Sequence, residues 1–333
     1  MIGPDKTRSP PYLMRYQTLG RTSLLLSTLG FGAATLGDEY GGVDHEAGQR
    51  AVDCALDHGI NFFDVSPYYG RTLAEERLGA YLAGKREGVV LATKVGRYAR
   101  DRPEGFDFSA ERVILSVEES LRRLRTDVID LYLAHDIEFA PREVILGETL
   151  PAMRRLQEQG KVRYVGVSGY PVEMLREVAE EAEVDAILSY CHYNLLHSGL
   201  ERVIGPLAER GVGVVNGSPL HMGALTEDGP PAWHPAPGSV LLAARDAAAW
   251  CRARGIAIED LALRFALANG SVSSTLVGMR SETEVRANIR ALDGPADPAL
   301  LARVLTNLGP ARDVDWPVGL PENNYPAAQA GRR

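Results

Sequence analysis

Four residues of one sequence carry groups that could move a proton onto or off a carbonyl oxygen: Asp64, Tyr69, Lys94 and His135. Asp64 closes the apolar run Asn61-Phe62-Phe63, and Tyr69 follows it by five positions in Asp64-Val65-Ser66-Pro67-Tyr68-Tyr69-Gly70. Lys94 ends Val89-Val90-Leu91-Ala92-Thr93, and His135 follows Leu131-Tyr132-Leu133-Ala134. A phenol has an unperturbed pKa near ~10, too high to exchange a proton at neutral pH unless a nearby cation favours its ionised form. Lys94 is the expected cation, Asp64 the carboxylate that holds and aims it, and His135 the group that hydrogen-bonds the reacting oxygen. Tyr69 then serves as general acid in carbonyl reduction and as general base in alcohol oxidation. No side chain donates a hydride, so such a site implies a redox cofactor.

Each residue alone has an ordinary reading: a rim salt bridge for Lys94, a turn or cap for Asp64, a hydrogen-bonded core imidazole for His135, one phenol among 13 for Tyr69. Two observations favour chemistry. All four sit where strand-like runs end, and the chain has four lysines among 36 basic residues, so a lysine in an awkward place is not there for charge alone. A Schiff-base aldolase or isomerase would also use Lys94, but has no need of Asp64 and Tyr69.

The elements that must position these groups are legible as a repeat. Short β-branched, apolar runs occupy 27–32, 61–65, 89–95, 128–134, 162–167, 186–190, 213–216 and 274–278, separated by segments of helical periodicity such as Val113, Val117, Leu121 and Leu124. The runs are near-continuously apolar, as parallel strands covered on both faces must be. Ser109 reads as a helix cap, and Gly59, Gly160, Gly211 and Gly255 as helix ends. Eight strand–helix units predict an α/β fold, a (β/α)₈ TIM barrel with catalytic groups at the C-terminal ends of its strands. An open doubly wound sheet would want a G-x-G-x-x-G turn after the first strand, and Gly30-Phe31-Gly32-Ala33-Ala34-Thr35 stops short of one. Residues 14–29 read as an N-terminal β-hairpin around Leu19-Gly20-Arg21-Thr22-Ser23, and the Pro-rich stretch 227–239 as a long loop over the C-terminal mouth. The expected organisation is an N-terminal extension over 1–13, poorly ordered, one barrel domain over 14–325, and a tail over 326–333.

Composition narrows the class. With 36 basic and 44 acidic residues the net charge is −8, and no basic stripe marks a nucleic-acid surface. No run approaches the ~18 apolar residues of a membrane span, and residues 1–13 lack the apolar core of a signal peptide. Cys54, Cys191 and Cys251 are too few and too scattered for a disulfide framework or structural zinc. These features predict a cytoplasmic protein with a small-molecule partner, no nucleic acid, no membrane and no metal, as a monomer or homodimer.

The segments FFDVSPYYG (62–70), VVLATKVG (89–96), DLYLAHD (130–136), KVRYVGVSG (161–169) and LVGMRSETEVRANI (276–289) resemble, in order, the signatures of the aldo-keto reductases. The resemblance spans 14–292. It implies the (β/α)₈ fold, a bound NAD or NADP, and the catalytic tetrad Asp64, Tyr69, Lys94 and His135. Further segments, among them ILSYCHYN (187–194) and SPLHMGALTEDGPPAWHPA (218–236), resemble the branch of L-galactose, L-fucose and D-threo-aldose 1-dehydrogenases, which oxidise the anomeric hydroxyl of a cyclic sugar to a lactone. The same scaffold also implies three other readings: an aldehyde or ketone reductase, a pyridoxal 4-dehydrogenase, or a non-enzymatic cofactor-binding regulatory subunit.

Carried onto this chain, the resemblance assigns the cofactor to Gly32, Asp64, Ser168, Gly169, Tyr190, Ser218, Leu220, Gly278, Arg280, Ser281, Glu284 and Asn288. Gly169, Tyr190 and Gly217 depart from the family's common Asn, Gln and Tyr, so the nicotinamide platform differs in detail. Glu284 repels a 2′-phosphate and suits ribose hydroxyls, which favours NAD, while Arg280 keeps NADP open. Substrate contacts are expected from Tyr69, His135, Asp136, His192, Trp233 and His234, whose aromatic faces and polar groups suit a monosaccharide.

Overall fold

The computed structural model describes residues 13–38, 40–100 and 105–324. The predicted extension, up to residue 12, and the predicted tail fall outside these. Eight parallel strands form a closed barrel: β3 (Leu29–Gly32), β4 (Phe62–Asp64), β5 (Val90–Val95), β6 (Ile129–Ala134), β7 (Val162–Gly169), β8 (Ala186–Tyr190), β9 (Gly213–Gly217) and β10 (Ser274–Gly278), with β10 pairing back onto β3. The (β/α)₈ barrel read from the sequence is the fold. The hairpin is present too, as antiparallel β1 (Tyr16–Thr18) and β2 (Leu25–Ser27). Its Leu19, Leu24 and Leu26 join the apolar interior formed by Phe62, Val90, Leu131 and Val215, which closes the N-terminal end. Gly213 allows that closure, because a Cβ there would lie 2.4 Å from Leu19 Cδ1.

Strand parity decides which side chains reach the site. Phe62, Ala92, Leu133 and Leu188 belong to the barrel interior, whereas Phe63, Leu91, Tyr132 and Ile187 belong to the layer between strands and helices. Side chains two residues apart share a face. The next inward positions toward the C-terminal end are therefore Gly32, Asp64, Lys94, Ser168, Tyr190, Gly217 and Gly278, with His135 one residue beyond β6. The apolar stack stops one layer lower, and this upper layer is the floor of the mouth.

The helices α1 (His45–Asp57), α2 (Leu73–Tyr81), α3 (Ala110–Leu124), α4 (Arg142–Val144), α5 (Leu150–Glu158), α6 (Val172–Ala182), α7 (Glu201–Glu209), α8 (Gly238–Arg252), α9 (Ile258–Leu267), α10 (Glu282–Arg290) and α11 (Pro298–Leu308) surround the strands. Local chemistry sets their ends as the sequence predicts. Ser109 accepts from the Arg112 amide at the start of α3, and Gly59, Gly160, Gly211 and Gly255 take φ of 83°, 77°, 69° and 70° beyond helix ends. Helices α8 and α11 form a separate apolar cluster with Ile258, Leu261 and Trp316. After α11 the chain crosses the mouth's rim, where Leu320 N donates to Glu138 O at 2.8 Å and Asn323 Nδ2 to Glu138 O at 2.9 Å. Among the described residues no helix is long and apolar enough to cross a membrane.

Candidate active site

Lys94 is the hub of the floor. Its Nζ donates to Asp64 Oδ1 at 2.5 Å, Val65 O at 2.9 Å and Tyr69 Oη at 3.3 Å. Three acceptors match the three protons of an ammonium. Lys94 and Asp64 are 1% and 4% exposed, so the ion pair lies out of water, and such a pair holds only when its geometry and hydrogen bonds offset desolvation. Because Tyr69 Oη accepts from Lys94, its own O–H is free to face the cavity. That face also holds His135, whose ring lies 5.8 Å from the Tyr69 ring and nearly perpendicular to it.

Ser66 sets the imidazole. Its Oγ accepts from Tyr68 N at 3.1 Å and lies 2.9 Å from His135 Nδ1. With the Ser66 hydroxyl donating to Nδ1, the proton of a neutral ring sits on Nε2. Burial pushes the His135 pKa down to about 3, assisted by the Lys94 and Arg97 charges and opposed by Asp136. The ring is a neutral donor at physiological pH.

The phenol departs from the sequence expectation. Burial holds the Tyr69 pKa well above the usual phenol value, the Asp64 and Asp136 charges add to the effect, and Arg97 opposes it. Lys94 does not prevail because its charge is tied to Asp64. Asp64 itself is raised by burial against the pull of Lys94. The floor therefore presents a protonated phenol and a neutral imidazole N–H toward the cavity.

That cavity has a volume of about 1760 Å³, above the ~300–1,000 Å³ of a typical small-ligand pocket, which suits an extended ligand plus a second one. Of the residues assigned to the cofactor, Gly32, Asp64, Ser168, Tyr190, Ser218, Leu220, Gly278, Arg280, Glu284 and Asn288 line it. Asp64 Oδ2 is buried without a partner among the described residues, an acceptor for a ligand hydroxyl. At Gly278 a Cβ would meet Thr35 Cγ2 at 2.6 Å, so only bare backbone fits that wall. This unfilled acceptor and this wall fit the dinucleotide that the sequence resemblance implies. Ser281 caps α10 by accepting from Glu284 N. Glu284 accepts from Arg280 N at 2.8 Å and Arg280 Nε at 3.0 Å, and Arg280 also donates to Tyr40 O.

Several predicted contacts lie elsewhere. Gly169 has the opposite parity to Ser168 and faces Glu138, whose Oε2 would be 2.3 Å from a Cβ there. Ser281 is absent from the cavity wall, its hydroxyl occupied by the cap. His192 would point inward by parity, but Cys191 turns the strand off at φ 62°, and the ring lies between Tyr190 O at 3.1 Å and Asp315 Oδ1 at 3.0 Å. His234 is buried against His221 O at 2.9 Å. Of the expected substrate groups, Tyr69, His135, Asp136 and Trp233 line the cavity, and His192 and His234 do not. Trp233 meets Tyr40 edge-on, with ring centroids 5.6 Å apart.

His192, His197 and Asp315 offer ligand atoms within 4.8 Å of one another. His197 Nδ1 accepts from Gly199 N at 3.0 Å, so its Nε2 carries the proton given to Asp315. A protonated nitrogen has no lone pair for a metal, and the trio reads as a strut for the rim segment. Sequence reasoning assigned no role to Ser66, Tyr68 or Arg97. The one available signal was their nearness to Asp64 and Lys94 in FFDVSPYYG and VVLATKVGR.

The Aldo/keto reductase family profile matches residues 28–304. The chain is 43% identical over 317 residues to L-galactose dehydrogenase of Arabidopsis thaliana, covering 92% of this chain and 98% of that protein. It is 29% identical over 302 residues to D-threo-aldose 1-dehydrogenase of Pseudomonas sp, covering 82% and 92%. Among solved structures, the holo form of aldo-keto reductase AKR11C1 from Bacillus halodurans superposes with a TM-score of 0.74 at 29% identity, over 91% of this chain and 99% of that one.

Proposed function

The chain belongs to the Aldo/keto reductase family, as a nicotinamide-dependent oxidoreductase, and from that premise we propose that it oxidises the anomeric hydroxyl of an aldose of the L-galactose type to the lactone, with NAD⁺ preferred. The observation that carries the reading is the Lys94 hub, which joins Asp64 and Tyr69 beneath a cavity that also receives His135. The relatives' names supply the substrate class.

Tyr69 takes the proton of the anomeric hydroxyl, and Lys94 stabilises the phenolate by donating to Tyr69 Oη. His135 Nε2–H donates to the same substrate oxygen and fixes its orientation, with Ser66 holding the tautomer. A nicotinamide bound in the cavity supplies the acceptor for the hydride leaving C1. Asp64 holds Lys94 through Oδ1 and offers Oδ2 to a ribose hydroxyl. In the reverse direction the phenol is the acid, and its raised pKa keeps it protonated until the reacting oxygen takes its proton. The preference for NAD⁺ rests on Glu284, which already engages Arg280, leaving less positive charge for a 2′-phosphate.

The test is the initial rate of NADH or NADPH appearance at 340 nm, with NAD⁺ or NADP⁺ and a panel of L-galactose, L-fucose, D-arabinose, L-glucose and pyridoxal. Rapid NAD⁺-dependent oxidation of L-galactose or a close stereoisomer is expected. Turnover of pyridoxal alone would overturn the aldose reading.

A further inference from the structure

Arg97 occupies the cavity wall three residues beyond Lys94. Its guanidinium lies 4.0 Å from the centroid of the Tyr68 ring and 5.3 Å from those of Phe106 and Phe139. It donates to the Asp136 carboxylate through one terminal nitrogen. A guanidinium has five N–H donors, and this is its one side-chain hydrogen bond among the described residues. The Nε–H is buried without a partner, which a folded chain rarely tolerates unless a ligand or water satisfies it.

Asp136 is the complementary half. It stands just past β6 in the left-handed region at φ 54°, a conformation with a steric cost for a residue that has a Cβ. Its Oδ2 lies 3.7 Å from His135 Nε2, next to the position the reacting oxygen must take. Both charges are fixed: burial works against ionising Arg97, but Asp136 holds its pKa above the ordinary value, and Asp136 is lowered in turn by His135 and Arg97 despite its own burial.

A lone buried guanidinium would select a carboxylate or phosphate. A guanidinium and a carboxylate side by side have no net charge, and together offer both donors and an acceptor. A hydroxyl is the group that can use both. We propose that Arg97 and Asp136 form a hydroxyl-reading wall that restricts the substrate to neutral polyols, with Asp136 accepting from the hydroxyl on the carbon beside the reacting one and Arg97 donating to oxygens of the same edge. The inference rests on the aldose reading above and adds the residues that make it specific.

The experiment compares kcat/KM of wild type, Arg97→Met and Asp136→Asn on L-galactose, 2-deoxy-L-galactose and L-galacturonate in oxidation, and on 4-nitrobenzaldehyde in reduction. A charge-assisted hydrogen bond to substrate predicts a loss of at least about 30-fold on L-galactose for each variant. For Asp136→Asn the loss should be at least about tenfold smaller on the 2-deoxy sugar, which lacks the contact, and for both variants smaller still on the aldehyde. Asp136→Asn also unmasks the Arg97 charge, so the ratio of L-galacturonate to L-galactose turnover should rise about tenfold or more. Equal losses on all four substrates would overturn the proposal, because the pair would then be acting on His135 and Tyr69; the aldose reading would survive. A wild type that reduces 4-nitrobenzaldehyde but oxidises no sugar would instead overturn the aldose reading, and the hydroxyl wall with it. If Asp136→Asn does not fold, shown by near-ultraviolet circular dichroism, Arg97→Met and Arg97→Lys decide: their losses must be larger on L-galactose than on the aldehyde, and equal losses overturn the proposal.

Discussion

At the N-terminal end of the barrel, Asp130 and Asp185 are buried and surrounded by donors. Asp130 accepts from Arg86 and from Leu91 N at 2.9 Å and pairs with Arg163 at 3.2 Å. Asp185 accepts from Arg154 at 2.9 Å and Val165 N at 3.0 Å and faces Arg21. At the C-terminal end, Asp64 Oδ2, Arg97 Nε and Glu259 Oε2 are buried without partners among the described residues, on side chains that line the cavity. The same fold satisfies its charges at one end and leaves them open at the other. Open buried groups cost stability, so their concentration at the end where barrel enzymes bind ligands marks what the ligand must supply. The N-terminal groups hold the strands in register; the C-terminal groups wait for oxygen atoms that are not the protein's own.

The sharpest way to break this division is Tyr69→Phe. Among the described residues the phenol makes one hydrogen bond, from Lys94, so its removal should leave the melting temperature within about 2 °C while kcat falls by about 10³ or more. Calorimetry and the 340 nm assay on the same preparation decide it; a large loss of stability would make the upper layer structural. Asp130→Ala is the converse. It strips an acceptor from Arg86 and Leu91 N, both near the barrel's N-terminal end, and should cost about 2–3 kcal/mol in urea unfolding, reduced from a fully buried case because Arg86 and Arg163 reach solvent. Activity per folded molecule should stay within about twofold.

A weaker effect follows from the phenol's raised pKa. Below that pKa the phenolate fraction grows tenfold per pH unit, so the single-turnover rate of sugar oxidation should rise with pH through the neutral and alkaline range. Reduction uses the protonated phenol and should be flat over the same range. The His135 pKa, lowered by burial to about 3, has a separate consequence. The unfolded chain binds a proton near pH 6.5 that the folded site refuses, so the contribution of this group to stability is present above about pH 6.5 and is lost as pH falls toward 3. Urea unfolding of wild type and His135→Asn across that range should show the variant losing less on acidification.

Much of this was legible in the chain because a barrel strand repeats every two residues. Phe62 and Asp64, Ala92 and Lys94, Leu133 and His135 are successive members of one inward row, so apolar runs located both the fold and the polar layer above it. Parity also explains the misplacement of Gly169, one residue out of phase with Ser168. What the pattern could not carry was anything set by chain reversal or by a neighbouring strand. His192 and His234 look like sugar-binding groups until the left-handed turn at Cys191 and the carbonyl of His221 claim them. Arg97 looks like one more surface arginine among 32 until β6 presents Asp136 beside it. The direction of the Tyr69 shift is set first by burial and then by carboxylates from two different strands, and no spacing around β4 reveals either.

The smallest expected effect concerns the outer edge of the C-terminal end, where the charges are partnered after all. Glu284 engages Arg280 through both backbone and side chain, although the pair is more than a third exposed. An exposed pair contributes little to stability, so Glu284→Gln should leave unfolding within about 0.5 kcal/mol. Its effect belongs to cofactor choice. Neutralising Glu284 removes a repulsion from the 2′-phosphate and releases one guanidinium edge to pair with it, so the ratio of NADP⁺ to NAD⁺ in kcat/KM should rise by about three- to tenfold. The gain should shrink as salt is raised, since the site is open to solvent. An unchanged ratio would mean that the 2′ position lies away from Arg280, and the partnering of this pair would then be structural, as it is for the buried charges at the barrel's other end.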